Sequence, residues 1–449
     1  MDDDKEFNGA ATEKDGKVWG IAKITTEVRE MMKGLKKINL VAVGLCLALL
    51  TSTCIPQAEA APAKEIKIGM RAILSGALAS TTMYPVCGFM DGIRYINEEE
   101  GGIDGVKINL LWEDTRGSVA SCIMAHRRFK AAGIVLEHGI LQTPTVTLAP
   151  AQAKDEIPLL YCAEYNRDML IKPHNWIFSL FCGAGPEFIQ FMKWVKQNWT
   201  EQRPPRVGII FHDEAAGWEI FEARQLAGEI GVEFVGHEVI TLFGAIDTSV
   251  EWLRLVGKKP DWVYVCAVGA TLVTLLKDAY RLEVQQKGVD LCTYAPGLDE
   301  TIARAAGEKA IEGWHISKPH PPAYAKGIPG VDRAVERARR YRGWGVEDIC
   351  GHYILLGGIV SRVTAEVLRM AIQKVGYENV TGRAVRDAMA SLRDFEVGGI
   401  VPLVSWSEDQ PYLIRHLRYY QVQQGRMVPV TEFFEFDRSY DYKELGGRF

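Results

Sequence analysis

The sequence contains no CxxC pair, no P-loop GxxxxGK[ST], no GxSxG elbow, and no GxGxxG behind its first strand-like run. The first absence removes zinc ribbons and thioredoxin-type centres, and the third removes the nucleophile of the α/β hydrolases. The second and fourth remove the common phosphate cradles of nucleotide-binding folds. "GGIDG" at 101–105 follows a helical pattern and precedes a strand pattern, the reverse of a dinucleotide site. The nine histidines are scattered singly, and "HEVIT" at 237–241 lacks the second histidine of a zinc-protease helix. Charge of one sign is also missing: 52 Lys and Arg against 57 Asp and Glu give a net charge of −5. That balance gives no general attraction for nucleic acid or anionic lipid.

What is present is an ordinary globular composition, 47% hydrophobic and 24% charged over 449 residues, enough for two or three domains. Near the start, the basic "MKGLKK" (32–37) precedes an apolar run of 13 residues, "INLVAVGLCLALL" (38–50), and then "AEA" at 58–60. Cationic start, short apolar middle and small residues before a cut describe an export signal, with cleavage expected after Ala60. The run is too short to span a bilayer comfortably. Asp2 to Asp4 and Glu6 put acid where a signal needs base, so Met31 or Met32 is the expected start, the alternative being a long signal or a membrane-anchored tail, and residues 1–60 form an extension plus signal peptide. Cys54 follows the apolar run, but Thr51 and Thr53 fit a lipidation motif poorly, so a lipid anchor there is not the expectation. Beyond Cys46 and Cys54 lie Cys87, Cys122, Cys162, Cys182, Cys266, Cys292 and Cys350, an odd set that leaves at least one thiol unpaired. Cys266, inside "WVYVCAV", reads as a small core residue.

From Lys64 onward, short apolar runs alternate with amphipathic segments. Strand patterns fall at 66–74, 106–114, 133–140 and 157–162, with helices over 80–100, after 114, and over 144–154. Val119, Cys122, Ile123 and Phe129 share one face of the second helix. A second series opens at "RPPRVGIIFHD" (203–213) and continues through a helix near 216–230, a strand at 261–268, a helix at 270–282 and "DLCTYAP" (290–296). Residues 329–393 are helix-rich, and the tail turns strand-like with "WSEDQPY" as a hairpin turn. Continuously apolar strands separated by helices argue for parallel sheets covered on both faces, and the restart argues for two α/β lobes. Asp213, Glu113 and Asp114 stand at strand ends, where lone carboxylates usually cap helices or hold loops. No catalytic set assembles.

Several stretches, in order, resemble the periplasmic substrate-binding proteins of the branched-chain amino acid and amide ABC transporters. They are "IKIGMRAILSGALAS", "GFMDGIRYINEEEGGIDGVKINLLWEDTRGSVA", "TLAPAQAKDEIPLLYC", "RVGIIFHDEAAGWEIFEARQLAGEIG", "PDWVYVCAVGATLVTLLKDAYRLE", "RAAGEKAIEGWHIS" and "GGIVPLVSWSEDQ". The resemblance spans about 66–425 and implies a type I periplasmic binding fold: two doubly wound parallel-sheet lobes joined by three crossovers. Lobe one would be 64–182 plus 315–398, and lobe two 183–314 plus 399–449. It further implies an exported, periplasmic component of an importer that closes on a small amino acid, amide or carboxylic or aromatic acid and hands it to an ABC permease driven by ATPase subunits. No catalysis, cofactor, metal or nucleic acid is implied.

The resemblance also carries site positions. From lobe one come Ser75 and Gly76, then Gln142, Thr143 and Thr145, then Ala163 to Tyr165. From lobe two come Trp218, Val268 with Gly269, and Leu298 with Asp299. Gln142 stands where amino acid binders place a serine for the α-carboxylate, and Tyr165 where they place a threonine near the ammonium. Asp299 or Glu300 would pair with that ammonium. The ordinary alternatives are helix caps for Thr143 and Ser75 and lobe packing for Tyr165 and Trp218. Bulky residues in place of small hydroxyls suit a flat or aromatic acid, or an amide, through stacking. A sensory protein of the same fold, or an exported α/β enzyme, remains open.

Overall fold

The computed structural model describes residues 64–76, 78–164, 169, 175–242, 244–407 and 410–436. The export signal, Cys54 and Tyr165 lie outside the described residues. Each apolar run in the first series becomes a parallel strand of one sheet. β1 (Glu65–Ala72) leads into α1 (Ala79–Glu98), β2 (Lys107–Asp114), α2 (Val119–Ala132), β3 (Glu137–Gly139), α3 (Gln142–Asp155), β4 (Leu159–Glu164) and β5 (Ile177–Phe181). The turn from α1 to β2 works because Gly101 and Gly102 take φ of 80° and 91°. A Cβ at Gly102 would stand 2.3 Å from the Val106 carbonyl oxygen, so the chain can reverse there only without a side chain. At the other end of β2, Ser118 caps α2 by accepting from Ser121 N–H, and α2 buries Cys122, Ala125, His126 and Phe129.

The second series builds β6 (Arg206–His212) after α4 (Ala184–Asn198), then α5 (Ala215–Ala223), β7 (Glu233–Ile240), α6 (Ser249–Val256), β8 (Trp262–Cys266) and α7 (Gly269–Arg281). β9 (Asp290–Thr293), α8 (Glu300–Ala306) and β10 (His315–Lys318) follow. "HEVIT" therefore falls largely in a strand, not a helix. A helical stretch comes next: α9 (Pro329–Arg342), α10 (Gly351–Ile354), a π-helical turn at Leu355–Val360, α11 (Ser361–Val375) and α12 (Gly382–Ser391). The described residues end in β11 (Tyr412–Ile414), β12 (His416–Gln423), β13 (Arg426–Pro429) and β14 (Phe434–Glu435).

Two sheets result. The first has six strands in the order β11-β5-β4-β3-β1-β2, all parallel. The second has eight, ordered β13-β12-β10-β9-β8-β6-β7 with β14 beside β12. It is parallel except where β12 pairs antiparallel with β10, β13 and β14. Two strands pair on the other side from the expected boundaries. β10 belongs to the second sheet although 315 was the expected return to lobe one, and β11 belongs to the first although 399 was the expected departure. Parallel pairing is non-local, so a repeating strand–helix pattern does not reveal which sheet a strand joins.

The helical stretch packs back on α1 and the first sheet, and glycines allow a close crossing. A Cβ on Gly88 of α1 would lie 2.3 Å from the Tyr353 carbonyl oxygen, and one on Gly357 would lie 2.6 Å from that of Gly88. The carbonyl of Gly357, in the π-turn, accepts from Arg337 Nη2 at 2.8 Å and from the Ser361 hydroxyl. The expected core residue Cys266 is fully buried in β8.

His138 of β3 is buried without charge. Its Nδ1 lies 3.3 Å from the Gly69 carbonyl oxygen and its Nε2 lies 2.9 Å from the Thr364 hydroxyl, the pattern of a neutral imidazole donating from Nδ1. Burial pushes it down to about 4. The unfolded chain then binds a proton between about pH 6.5 and 4 that the folded chain refuses, so this residue makes stability fall as pH falls. Between pH 6.5 and 5 the unfolding free energy should drop by about 2 kcal/mol more in the unmodified protein than in His138→Gln. Parallel urea titration profiles for the two proteins would contradict this.

Candidate ligand-binding site

The loops after the strand ends of both sheets converge on a cavity of about 170 Å³. This is where doubly wound sheets present helix N-termini and loop backbone to a ligand. From the first sheet's side come the opening turns of α1 (Leu78 to Pro85), the β3–α3 corner (Ile140 to Gln142) and the end of β4 (Tyr161 to Glu164). From the second come Glu214 and Ala216 after β6, Leu242 after β7, Val268 after β8, Tyr294 to Pro296 after β9 and His320 after β10. His352 of α10 and Leu355 and Leu356 of the π-turn also line it, with Phe181 and Pro319. The walls are mainly apolar and aromatic, with a few convergent polar groups.

The expected positions divide. Gln142, Ala163 and Val268 line the cavity. Ser75 does not: its hydroxyl donates to Asp114 Oδ2 at 2.6 Å, while Asp114 Oδ1 accepts from the Leu74 and Arg116 N–H groups. Asp114 thus staples the β1 loop to β2. Thr143 is exposed at the start of α3, where its carbonyl accepts from the Thr147 hydroxyl. Thr145 is fully buried on the inner face of α3, away from the cavity lining. Trp218 packs edge-on against Phe211 and Phe221 and donates from Nε1 to Asp213 at 2.9 Å, the packing alternative. Leu298 is core.

Asp299 and Glu300 are engaged within the protein. Asp299 Oδ1 caps α8, accepting from the N–H groups of Thr301 and Ile302, and its Oδ2 meets His352 Nδ1 at 2.9 Å. Burial opposes its charge, but the His352 contact, Lys318 and Thr301 outweigh it and hold the carboxyl well below its usual range. Glu300 accepts from Ala323 N–H and Gly351 N–H. These contacts tie α8, which follows the second sheet's β9, to α10, which packs on α1. Removing the cap and the His352 contact together, as in Asp299→Ala, should lower stability by about 2 kcal/mol, whereas Asp299→Asn keeps the cap and should lose less than half of that. Equal losses by denaturant titration would show that the cap is unimportant.

Glu164, inside the expected stretch Ala163 to Tyr165, and Glu214 and His320, outside the expected set, bring ionisable groups to the cavity. Glu164 ends β4, and burial, followed by repulsion from Glu187, Glu214 and Glu219, pushes it up to about 8. Burial also raises Glu214. His320 contacts the Pro321 carbonyl through Nδ1 and is held uncharged by burial, Lys318 and His352. Behind the cavity the Ala295 peptide is clamped on both sides: its N–H donates to Glu187 at 2.7 Å, and its carbonyl accepts from buried Lys318 Nζ at 2.9 Å. The signals for Glu164 and Glu214 were carboxylates directly after apolar strands, a place where caps are the commoner reading. Asp299, Cys350 and His352 lie close enough to hold a metal ion. The Asp299 oxygens are, however, occupied by the α8 cap and His352.

A sequence profile described as periplasmic binding protein matches residues 65–426. The chain belongs to this family. Its fold is the type I periplasmic binding fold, and similar solved structures cover nearly the whole described chain. A branched-chain amino acid ABC transporter protein from Thermus thermophilus with bound valine shares 20% identity at a TM-score of 0.73, covering 83% of this chain and 97% of that one. A substrate-binding protein of an ABC transporter from Aeropyrum pernix shares 18% at a TM-score of 0.72, over 84% and 97%. A solute-binding protein of an ABC transporter from Rhodopseudomonas palustris HaA2, in complex with p-hydroxybenzoic acid, shares 14% at a TM-score of 0.71, over 85% and 100%. Among curated proteins none matches the chain in sequence. The family is one of binding proteins acting outside the cytoplasmic membrane, not an enzyme family.

Proposed function

We propose that this periplasmic binding protein is the exported solute-binding component of an ABC importer, capturing a small solute between its lobes and delivering it to a membrane permease. The observation that carries the reading is the cavity walled by strand-end loops of both sheets. A ligand there touches both lobes only when they close, so binding energy favours the closed form a permease would recognise. The sheet memberships support lobe boundaries after Phe181, after Lys318 and at Arg415, between β11 and β12. Cavity size supports a compact solute, since about 150 Å³ holds a benzene ring in an engineered protein core. The similar structures holding valine and p-hydroxybenzoic acid contain ligands of that scale.

The test is thermal melting of the purified protein against amino acids, amides, amines and short aliphatic and aromatic acids. A ligand at about 1,000 times its Kd adds roughly 4 kcal/mol to the folded state, a plain shift in Tm. Deleting the gene should abolish cellular uptake of the solute that shifts Tm. Uptake that persists would point to the sensory alternative, and turnover of the solute by purified protein would point to an enzyme.

A further inference from the structure

The apolar walls of the cavity limit ligand size, and its ionisable groups decide ligand charge. Among the described lining residues there is no Lys or Arg. The carboxyl side chains among them are Glu164, which ends β4 of the first sheet, and Glu214, which precedes α5 of the second, so each sheet contributes one. The basic side chains nearby are committed elsewhere. Arg71 pairs with Glu137 at 2.7 Å, and Lys318 donates to the Ala295 carbonyl. His352 faces Asp299, and His320 is held uncharged.

We propose that the cleft selects ligands of net positive charge, holding a cationic nitrogen between Glu164 and Glu214. The inference rests on the solute-binding reading of the same cavity. With the lobes apart, each carboxylate faces water. Closure brings both into a space of low dielectric, where like charges repel strongly. An ammonium, amidinium or guanidinium supplies donors to both oxygens sets and turns the repulsion into attraction, so the charge of the ligand itself drives closure. A carboxylate ligand would add negative charge beside the pair, and a zwitterion would bring no net positive charge to offset it.

Without a ligand, protons perform this neutralisation. Among the described residues, the ionisable groups facing the pair are Glu187 on α4, Glu219 on α5, Tyr161 on β4, Cys266 on β8 and Tyr294 after β9. None of them brings positive charge. Glu164 therefore carries its proton at neutral pH, and an entering cation must expel it.

The experiment is titration calorimetry of the full chain with ring compounds of matched shape and different charge. Benzamidine and benzylamine are positive, benzamide neutral and benzoate negative, with cadaverine and valine as an aliphatic cation and zwitterion. The expected result is that a cation binds at least about tenfold more tightly than any neutral, zwitterionic or anionic member. Binding should release a proton, read as a dependence of the heat on buffer ionisation enthalpy, and affinity should fall by up to about tenfold per pH unit below pH 7. Glu164→Gln and Glu214→Gln should each weaken the cation by about tenfold or more, with unliganded Tm unchanged or raised because a buried ionisable group is replaced by a neutral one. If a variant does not fold, proton release by the unmodified protein decides. Tightest binding by benzamide, valine or benzoate, or cation binding without proton release, overturns the inference and leaves the solute-binding reading standing. No binding by any member of either this or the wider melting panel overturns both.

Discussion

Replacing Glu137 with glutamine should lower the unfolding free energy by about 3–5 kcal/mol, the cost of stranding one member of a buried ion pair. Glu137 sits in the three-residue strand β3 at the centre of the first sheet and is fully buried. Arg71 Nε lies 2.7 Å from its Oε1, while His126 Nδ1 and Gln152 Nε2 reach its Oε2 at 2.6 and 2.8 Å. His126 Nε2 continues to Asp155 Oδ2 at 3.2 Å, and Lys130 closes the chain at the surface. Burial works against the Glu137 charge, but Arg71, His126 and Gln152 overcome it and its carboxyl is depressed. Burial likewise works against charge on His126, but Glu137 and Asp155 raise it. Glutamine keeps the shape and leaves the guanidinium of Arg71 without its counter-charge in the core.

The pH dependence of this cluster has two arms. The depressed Glu137 contributes stability that is present above the unfolded carboxyl value and is lost as pH falls through its folded value. The raised His126 contributes stability that is complete below the unfolded imidazole value and is lost as pH rises through its folded value. Glu137→Gln removes the first arm and weakens the second. The double change Arg71→Met with Glu137→Leu should recover most of the loss, because a well-packed apolar pair often equals or exceeds a buried ion pair. A loss below about 1 kcal/mol in Glu137→Gln would mean that the pair is effectively solvated.

The order of elements was legible because apolar runs and caps are local. Ser118 before α2 and the Gly101-Gly102 break after α1 are readable in the sequence, and both do what such residues do. Asp299 carried an equally local signal: an acidic residue directly before a helix is an N-cap, a use that competes with ligand binding. Thr145 is hidden because the face of α3 that packs inward depends on how the helix lies on the sheet. The pairing of β10 and β11, and the meeting of Glu164 with Glu214 across one cavity, join residues far apart in sequence. No period or spacing encodes them. Binding chemistry in a two-lobe fold is assembled by closure, so its residues are the least local in the chain.

A buried carboxyl in the second lobe connects core stability to the cavity. Glu187, in the first turn of α4, accepts from the Tyr264 hydroxyl at 3.0 Å, from Ala295 N–H at 2.7 Å and from the Ser317 hydroxyl. Glu187→Ala strands these buried donors at about 1–3 kcal/mol each, so a loss of about 3 kcal/mol or more is expected by denaturant titration. It also frees one side of the Ala295 peptide at the cavity wall, leaving only the Lys318 contact, so ligand affinity should fall with stability. Glu187→Gln keeps an acceptor in place and should lose less than half as much. The two variants also separate in pH. Burial pushes Glu187 up to about 7 against the opposing hydrogen bonds from Ser317, Ala295 and Tyr264. The folded protein then keeps a proton that the unfolded chain gives up between about pH 4.3 and 7, so this group makes stability fall as pH rises through that window. Glutamine cannot titrate, and its profile should be flatter there. If Glu187→Ala weakens ligand binding while Glu187→Gln restores it, the acceptor positions the cavity wall. If both variants bind as the unmodified protein does, the wall is held by Lys318 and packing alone.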